Sequence, residues 1–213
     1  MTSRVAALYV DPHGVYANLP DVELWDEIRD ARNYDGPWPV VAHPPCARWC
    51  QLASVNETRW GTPIGDDGGC FWHALDAVRR FGGVLEHPAY SLAWQRYELP
   101  RPVSRGGWTS SLTDPGYSIE LAQSAYGHPA RKRTWLYAIG CELVELPTRE
   151  PRGVAVVGAG VHTGQAAGRG RLDGYAAIET PEAFRDLLLE MARSAHVEAV
   201  PRRSTRKGAV IEG

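Results

Sequence analysis

Short apolar runs alternate with polar, turn-rich segments along most of this chain, and the runs have the length and composition of β-strands. Val, Leu, Ala, Tyr and Trp dominate them, and turn-forming or charged residues close them. The pattern predicts strands over 4–10, 22–25, 39–43, 83–86, 118–123 and 134–139.

Helical spacing is clearest in residues 70–81. Apolar side chains recur there at positions i, i+3, i+4 and i+7, which places them on one face of a helix. They are Phe71, Ala74, Leu75 and Val78. Asp66 or Asp67 can cap this helix, and Gly82 with Gly83 ends it.

A second helix is predicted near residue 180, with Thr180 as its cap and Pro181 at its first position. In the first half, the strand at 39–43 is followed by the helix at 70–81 and at once by the strand at 83–86. This strand–helix–strand order favours parallel pairing of the two strands. We therefore expect an α/β fold with a Rossmann-like sheet and flanking helices.

Segments rich in Gly, Pro and polar residues separate these elements and are predicted to be irregular. They span 51–69, 100–116 and 141–179. The expected domain covers residues 1–200 and includes 141–179 as an irregular insert. A basic tail over 201–213 is predicted to be disordered.

The composition is that of a globular protein, with 44% hydrophobic and 23% charged residues. No apolar run is long enough to cross a membrane, and the N-terminus lacks a signal-peptide pattern. We expect the four cysteines, which lie at irregular spacings, to be reduced thiols in a cytoplasmic protein. The net charge of −2 provides no overall basic field, so any nucleic-acid surface must be local.

Chemically distinctive residues lie at the ends of three predicted strands. Cys46 ends the triplet Pro44-Pro45-Cys46 after the strand at 39–43, and Glu86 closes the strand at 83–86. Arg131 and Arg133 lie in a basic turn before the strand at 134–139. The carboxyl edge of an α/β sheet is where such folds place their chemistry. A thiol, a carboxylic acid and guanidinium groups suit covalent attack on a pyrimidine ring.

Three segments carry a resemblance to a known family. They are His43-Pro44-Pro45-Cys46, Leu85-Glu86-His87-Pro88 and the run from Tyr126-Gly127-His128-Pro129 to Arg131-Lys132-Arg133. In this order they resemble the Pro-Cys loop, the acidic element and the Arg-x-Arg segment of the DNA (cytosine-5) methyltransferase catalytic domain. The resemblance covers about residues 5–140 and extends to small phage-encoded proteins of this type, and it implies a methyltransferase-type sheet.

The resemblance also implies a reaction and roles for these residues. The Cys46 thiolate would add to carbon 6 of cytosine, and protonated Glu86 would donate to ring nitrogen 3. Arg133 would contact the oxygen at carbon 2, and Arg131 would support the loop that carries Cys46. The partner would be DNA, with the target base flipped out of the duplex. The pattern favours a solvated position for Lys132.

S-adenosylmethionine is the cofactor that the resemblance implies. Its expected contacts are Asp11, Asp26 and Pro44, with Asp26 a loose match to the acidic residue that holds the ribose. The loop from Val10 to Tyr16 has one glycine and no room for the family's long helix. Ala130 stands where the family has glutamine, and 141–179 is too short for a full target-recognition domain.

Three alternatives stay open at the level of sequence. The Cys46 adduct could serve another one-carbon donor or a pre-modified base, or the fold could be a degenerate module that binds DNA or a partner without catalysis. A zinc site is disfavoured by ligand spacing, although the chain offers thiols and imidazoles at His43, Cys46, Cys50, Cys70 and His73. We therefore predict no metal site.

Overall fold

A computed structural model of the chain shows a mixed seven-stranded sheet that carries helices on both faces. The structure describes residues 3–51, 53–104, 106–147, 155–157, 170–172 and 179–196. The strands of the main sheet are β1 (Val5–Leu8), β2 (Val22–Trp25), β3 (Val40–Ala42), β4 (Gly83–Pro88), β5 (Thr109–Ser110), β6 (Tyr117–Ala122) and β7 (Arg133–Ile139). Two further strands, β8 (Ala155–Val157) and β9 (Gly170–Leu172), pair in parallel with each other.

The α-helices within the described residues are α1 (Ala53–Trp60), α2 (Cys70–Phe81), α3 (Leu92–Arg96) and α4 (Glu182–Arg193). Short 3-10 helices span Ala31–Asn33 and Gln123–Tyr126. None of the helices in this described part of the chain has the length and apolar character needed to span a bilayer.

The order of strands across the main sheet is β2-β1-β3-β4-β7-β6-β5. Strands β1 to β4 run parallel, whereas β7 is antiparallel to β4 and to β6. From β1 the chain places β2 on one side and β3 on the other, so a topological switch point lies between β1 and β3. In open α/β sheets the crevice at the carboxyl ends of such strands is the usual ligand site.

Alternating side chains of the strands form two separate cores. On one face Leu8, Ala42 and Leu85 pack with Phe71 and other residues of α2. On the other face the intervening strand residues pack against the buried stripe of α4, which includes Phe184, Leu188 and Met191. The sheet is therefore covered on both sides, as its continuous apolar strands require.

The close contact between β3 and β4 depends on a glycine at the start of β4. A Cβ at Gly83 would lie 1.9 Å from the carbonyl oxygen of Val40, and the φ angle of Gly83 is +123°. The neighbouring Gly82 ends α2, as predicted, and the Asp67 carboxylate accepts hydrogen bonds from the amides of Gly69 and Phe71 at the other end of that helix. Parallel pairing of β3 with β4 is also confirmed.

Several predicted loops contain regular structure. Helix α1 lies in 51–69, β5 lies in 100–116, and β8 with β9 lies in 141–179. The last helix begins at Glu182 after a Pro181 cap, so Thr180 is not its cap. The predicted tail at 201–213 lies outside the described residues.

Candidate active site

Glu86 and His43 meet at the carboxyl edge of β3 and β4, beside the switch point. Leu85 pairs with Ala42 in the sheet, so the next residue of each strand, Glu86 and His43, continues the same row. The backbone amide of His43 donates to the carbonyl of Leu8, which extends the pairing of β3 with β1. The Nδ1 atom of His43 lies 3.0 Å from Oε2 of Glu86, and both side chains are largely buried.

Cys46 begins a helical turn directly after this edge. Its carbonyl accepts the amides of Trp49 and Cys50, each at 2.9 Å. The Trp49 carbonyl in turn accepts the amide of Leu92 at 2.8 Å, which ties the turn to α3. The Cys46 thiol is free and half-buried, so the local backbone holds it at the edge without enclosing it.

Burial and the charge of Glu86 both favour the protonated form of the Cys46 thiol. Burial, followed by the negative charge of Glu86, raises the pKa of the Cys46 thiol above its ordinary value, while Lys132 acts in the opposite direction. Since a thiolate is the nucleophilic form, a ligand that neutralises Glu86 would make Cys46 more reactive.

The Glu86 carboxyl group is held from two sides. His43 contacts Oε2, and the side-chain amide of Gln123 donates to Oε1 at 3.3 Å. Burial alone would raise the pKa of the Glu86 carboxyl, but the hydrogen bond from His43 and the charges of His43 and Lys132 outweigh burial and hold this pKa below its usual range. Glu86 is therefore ionised at rest.

Gln123 is fully buried and is oriented by its neighbours. Its Nε2 atom donates to Oγ1 of Thr134 at 3.0 Å as well as to Glu86, and its backbone amide donates to the Lys132 carbonyl. Two acceptors for Nε2 establish which end of the amide is the nitrogen. The amide oxygen of Gln123 is buried and has no hydrogen-bond partner among the described residues.

Lys132 is the basic residue of the predicted turn whose charge acts on the site. Burial lowers the pKa of its ammonium group, and the charges of Glu86 and Cys46 partly oppose that change. Its Nζ atom donates to the Glu179 carbonyl at 2.9 Å, just before α4. Lys132 is half-buried, and the turn directs its side chain toward the segment before α4, so it is less solvated than predicted.

Arg131 and Arg133 are not brought to Glu86. Arg133 forms an ion pair with Glu120, with Nε at 3.0 Å from Oε1, and its guanidinium lies 4.8 Å from the centre of the Tyr90 ring. Glu120 is opposite Trp135, and Glu86 is opposite Leu136, so these groups lie on different faces of the sheet. Arg131 is exposed.

The residues predicted to bind a cofactor surround the ends of β1, β2 and β3. The exposed Asp11 accepts the amide of His13 at 2.8 Å, and Asp26 accepts the amide of Arg29 at 2.8 Å. Pro44 is buried between His43 and Cys46 in the chain. Residues 11–20 form turns rather than a helix, so the end of β1 provides no helix N-terminus for an anionic group.

The zinc alternative gains no support from this arrangement. Among the described residues, no three His, Cys, Asp or Glu side chains are grouped closely enough to hold a metal ion. His43 is instead paired with Glu86, and Cys70 is the first residue of α2.

Tyr16, Gln123 and the contact between His43 and Glu86 were not predicted from the sequence. The Tyr16 hydroxyl lies 2.9 Å from Nε2 of His43, and Tyr16 is 27 residues away from it along the chain. Gln123 is 37 residues from Glu86. The sequence did offer one signal about the site. The alternation of β7 after residue 132 assigns its even and odd positions to opposite faces of the sheet, and so indicates which residues share a face with Glu86.

Comparisons with protein-family models, with curated proteins and with solved structures found no match to this chain.

Proposed function

We propose that this protein is an enzyme that modifies carbon 5 of a pyrimidine in DNA, in the simplest case cytosine, through a covalent adduct between Cys46 and carbon 6. The observation that supports it is the buried Glu86–His43 pair at the switch-point edge of the sheet, where Cys46 follows β3 and the charges of Glu86 and Lys132 both act on the Cys46 thiol. This set combines a nucleophile, an acid and a cation in a half-buried position. Each group is needed by the reaction described next.

The proposed addition conserves atoms and electrons. A lone pair of the Cys46 thiolate forms the S–C6 bond, the C5=C6 π electrons move through the ring, and nitrogen 3 takes a proton from neutral Glu86. The resulting adduct has a C4=C5 double bond, so carbon 5 is an enamine-like nucleophile, and the proton on nitrogen 3 returns to Glu86 as carbon 5 reacts. Carbon 5 bonds to an electrophilic one-carbon donor, whose leaving group departs with the electron pair. Loss of the proton on carbon 5 to solvent or a base then restores C5=C6 and expels the Cys46 thiolate.

The resting and reactive states of the site differ by the position of one proton. At rest the Cys46 thiol is protonated and Glu86 is ionised, whereas the addition needs the thiolate and the neutral acid. Both states carry the same net charge. A base whose nitrogen 3 accepts a hydrogen bond favours neutral Glu86, and neutral Glu86 in turn favours the thiolate beside Lys132.

Cytosine is proposed as the base because neutral Glu86 can donate to its nitrogen 3, which is an unprotonated acceptor, whereas nitrogen 3 of uracil carries a hydrogen. Gln123 is fully buried and acts on the base through its contact with Oε1 of Glu86. Because the site is recessed, the target base in duplex DNA would be flipped out to reach it.

A Rossmann-like classification is supported by the order of the parallel strands. Strands β2, β1, β3 and β4 are adjacent in that order, and the switch point between β1 and β3 is the feature that such sheets use for ligands. The antiparallel strands β7, β6 and β5 extend the sheet beyond β4.

The residues present do not form a cradle for S-adenosylmethionine. Asp11 and Asp26 each use a carboxylate oxygen to cap a local turn. The segment that joins β1 to β2, all of which the structure describes, contains no helix. We therefore propose the donor by class, as an electrophilic one-carbon compound. Calorimetric titration tests directly whether S-adenosylmethionine binds, and a lack of binding would exclude it as the donor.

Exchange of the hydrogen on carbon 5 tests the attack without knowledge of the donor. Reversible addition of Cys46 makes carbon 5 basic, so DNA labelled with tritium at carbon 5 of cytosine should release the label to water. We expect release with the wild type, loss of release with Cys46→Ala, and retention with Cys50→Ala, a matched control one helical turn away. DNA binding without any release would instead support a non-catalytic module.

Mass spectrometry of nucleosides from DNA co-expressed with the protein identifies the product. A modified cytosine that requires Cys46 is the expected result. Release of tritium with uracil-containing DNA but not with cytosine-containing DNA would contradict the assignment of the base.

A further inference from the structure

A chain of hydrogen bonds runs from Tyr16 through His43 to Glu86. The Tyr16 hydroxyl lies 2.9 Å from Nε2 of His43, and Nδ1 of His43 lies 3.0 Å from Oε2 of Glu86. The three residues come from three separate segments: the turns after β1, the end of β3, and β4. Tyr16 is 3% exposed and closes the inner end of the chain.

The ionisation of the two ends determines where the hydrogens lie. Burial, with the charge of Glu86, raises the pKa of Tyr16 well above its ordinary value, so Tyr16 keeps its proton. Ionised Glu86 can only accept, so Nδ1 of His43 must carry the hydrogen of the contact with Oε2. In neutral His43 the Nε2 atom is then an acceptor, and the Tyr16 hydroxyl donates to it.

This arrangement has a consequence for Glu86 when it becomes neutral. Oε2 already accepts a hydrogen from His43, so a proton added to the carboxyl group goes to Oε1. Oε1 makes the longer contact, 3.3 Å from Nε2 of Gln123, and this contact is the easier one to replace. The acidic hydrogen would then be presented from one defined oxygen.

We propose that His43, in the tautomer that donates to Glu86 and accepts from Tyr16, is a positioning residue that directs the acidic proton of Glu86 to Oε1, the oxygen that donates to the substrate base. The inference rests on the proposed function for the identity of the acceptor, nitrogen 3 of a pyrimidine. The tautomer of His43 follows from its contacts with Glu86 and Tyr16 and does not depend on the proposed function.

Other charged and titratable groups face this chain from the surrounding elements. They are Cys46 in the turn after β3, Lys132 before β7, and Arg185 and Asp186 in α4. Arg185 donates to the Val15 carbonyl at 2.7 Å and holds the segment next to Tyr16 against α4. Any change in the pH dependence must therefore be assigned with variants of His43 and Tyr16 themselves.

Nitrogen NMR of ¹⁵N-histidine-labelled protein tests the tautomer without any substrate. Signals of His43 are identified by their loss in His43→Asn, since the chain has seven histidines. In the neutral ring we expect a protonated Nδ1 and an unprotonated Nε2, and the same tautomer in Tyr16→Phe, because Glu86 still accepts from Nδ1. A protonated Nε2 in the neutral wild-type ring would overturn the proposal.

Release of tritium from carbon 5 of cytosine DNA tests the positioning role. Asn in place of His43 retains a donor at the position of Nδ1, whereas Leu does not. We expect His43→Asn to retain at least about one-third of the wild-type rate and His43→Leu to lose about 100-fold, within the range for a misplaced general acid. Equal loss in both variants, with both folded by circular dichroism, would overturn the proposal.

The two measurements separate this inference from the proposed function. If wild-type protein releases no tritium at any pH, the proposed function fails, whatever the NMR spectrum shows. If wild type releases tritium but the neutral His43 ring carries its hydrogen on Nε2, the proposed function stands and the positioning role is rejected.

Discussion

Neighbouring residues of β4, Glu86 and His87, lie in opposite surroundings because strand side chains alternate between faces. Glu86 faces α4 and is ionised in a network with His43 and Gln123. His87 faces α2 and is enclosed by aromatic rings, with Phe71 at a centroid distance of 5.1 Å. Burial lowers the pKa of His87 to about 4, so this imidazole is neutral.

The difference shows how one sheet edge can hold a charged site next to a rigid support. Phe71 contacts both His87 and Trp49, and Trp49 belongs to the turn that carries Cys46. Trp49 also donates to the capping carboxylate of Asp67 at 2.8 Å. The aromatic face therefore positions the Cys46 turn, while the polar face determines the ionisation of its thiol.

Replacing Glu86 with Gln should have the largest effect on chemistry. An amide cannot supply a proton to nitrogen 3, so we expect tritium release from carbon 5 to fall about 10²- to 10⁴-fold. Glu120→Gln is the matched control, because Glu120 is a buried carboxylate on the α2 face. It should retain the wild-type rate per folded molecule. Equal losses of tritium release in Glu86→Gln and Glu120→Gln would contradict the assignment of the chemistry to the Glu86 face and of structural support to the α2 face.

Replacing His87 with Asn should change the dependence of stability on pH. The folded-state pKa of His87 is depressed to about 4 from an ordinary value of 6.5, so the stabilisation is complete above pH 6.5 and is lost as the pH falls toward 4. The loss amounts to about 3 kcal/mol in the free energy of unfolding. Asn can keep the contact with Ser91 that Nδ1 makes at 2.7 Å but does not titrate.

Urea unfolding at pH 7 and pH 4.5 measures this effect. Wild type should lose more free energy of unfolding between the two values than His87→Asn does. A loss between the two pH values that is as large in His87→Asn as in the wild type would contradict the assignment of this pH dependence to His87.

Local pattern was sufficient for the elements that bury a regular apolar stripe or a continuous apolar run. The apolar stripe of α2 and the runs of β3 and β4 were predictable, because burial against the sheet imposes their spacing. Helix α1 was not, since apart from Ala53 its described side chains are exposed and carry no apolar stripe. The five-residue α3 depends on its Ser91 cap and on the aromatic core around Trp94.

The candidate site was only partly predictable for a related reason. Cys46 and Glu86 lie next to strand ends, so their meeting follows from parallel pairing of β3 and β4. Tyr16 and Gln123 reach the site from distant segments, and their contacts depend on how those segments pack. Lys132 and Arg133 could be separated only by knowing that Thr134 and Leu136 lie on the Glu86 face.

The smallest predicted effect concerns that last pair. Lys132→Gln removes the positive charge that opposes Glu86, so the pKa of Cys46 should rise further. At pH 8 the alkylation of Cys46 by iodoacetamide should slow about three- to tenfold, as expected for one partly screened charge. Arg133→Gln should leave this rate unchanged, because Arg133 lies on the other face with Glu120.

Peptide mass spectrometry follows each cysteine separately and provides an internal reference. Burial raises the pKa of Cys141 to about 12, and its thiol contacts the Gly83 carbonyl, so its alkylation should be slow in every variant. Faster alkylation of Cys141 would report loosening of the fold rather than a change of charge. If Arg133→Gln slowed Cys46 as much as Lys132→Gln did, the effect would be a general loss of positive charge, and the assignment of Lys132 to the site would be wrong.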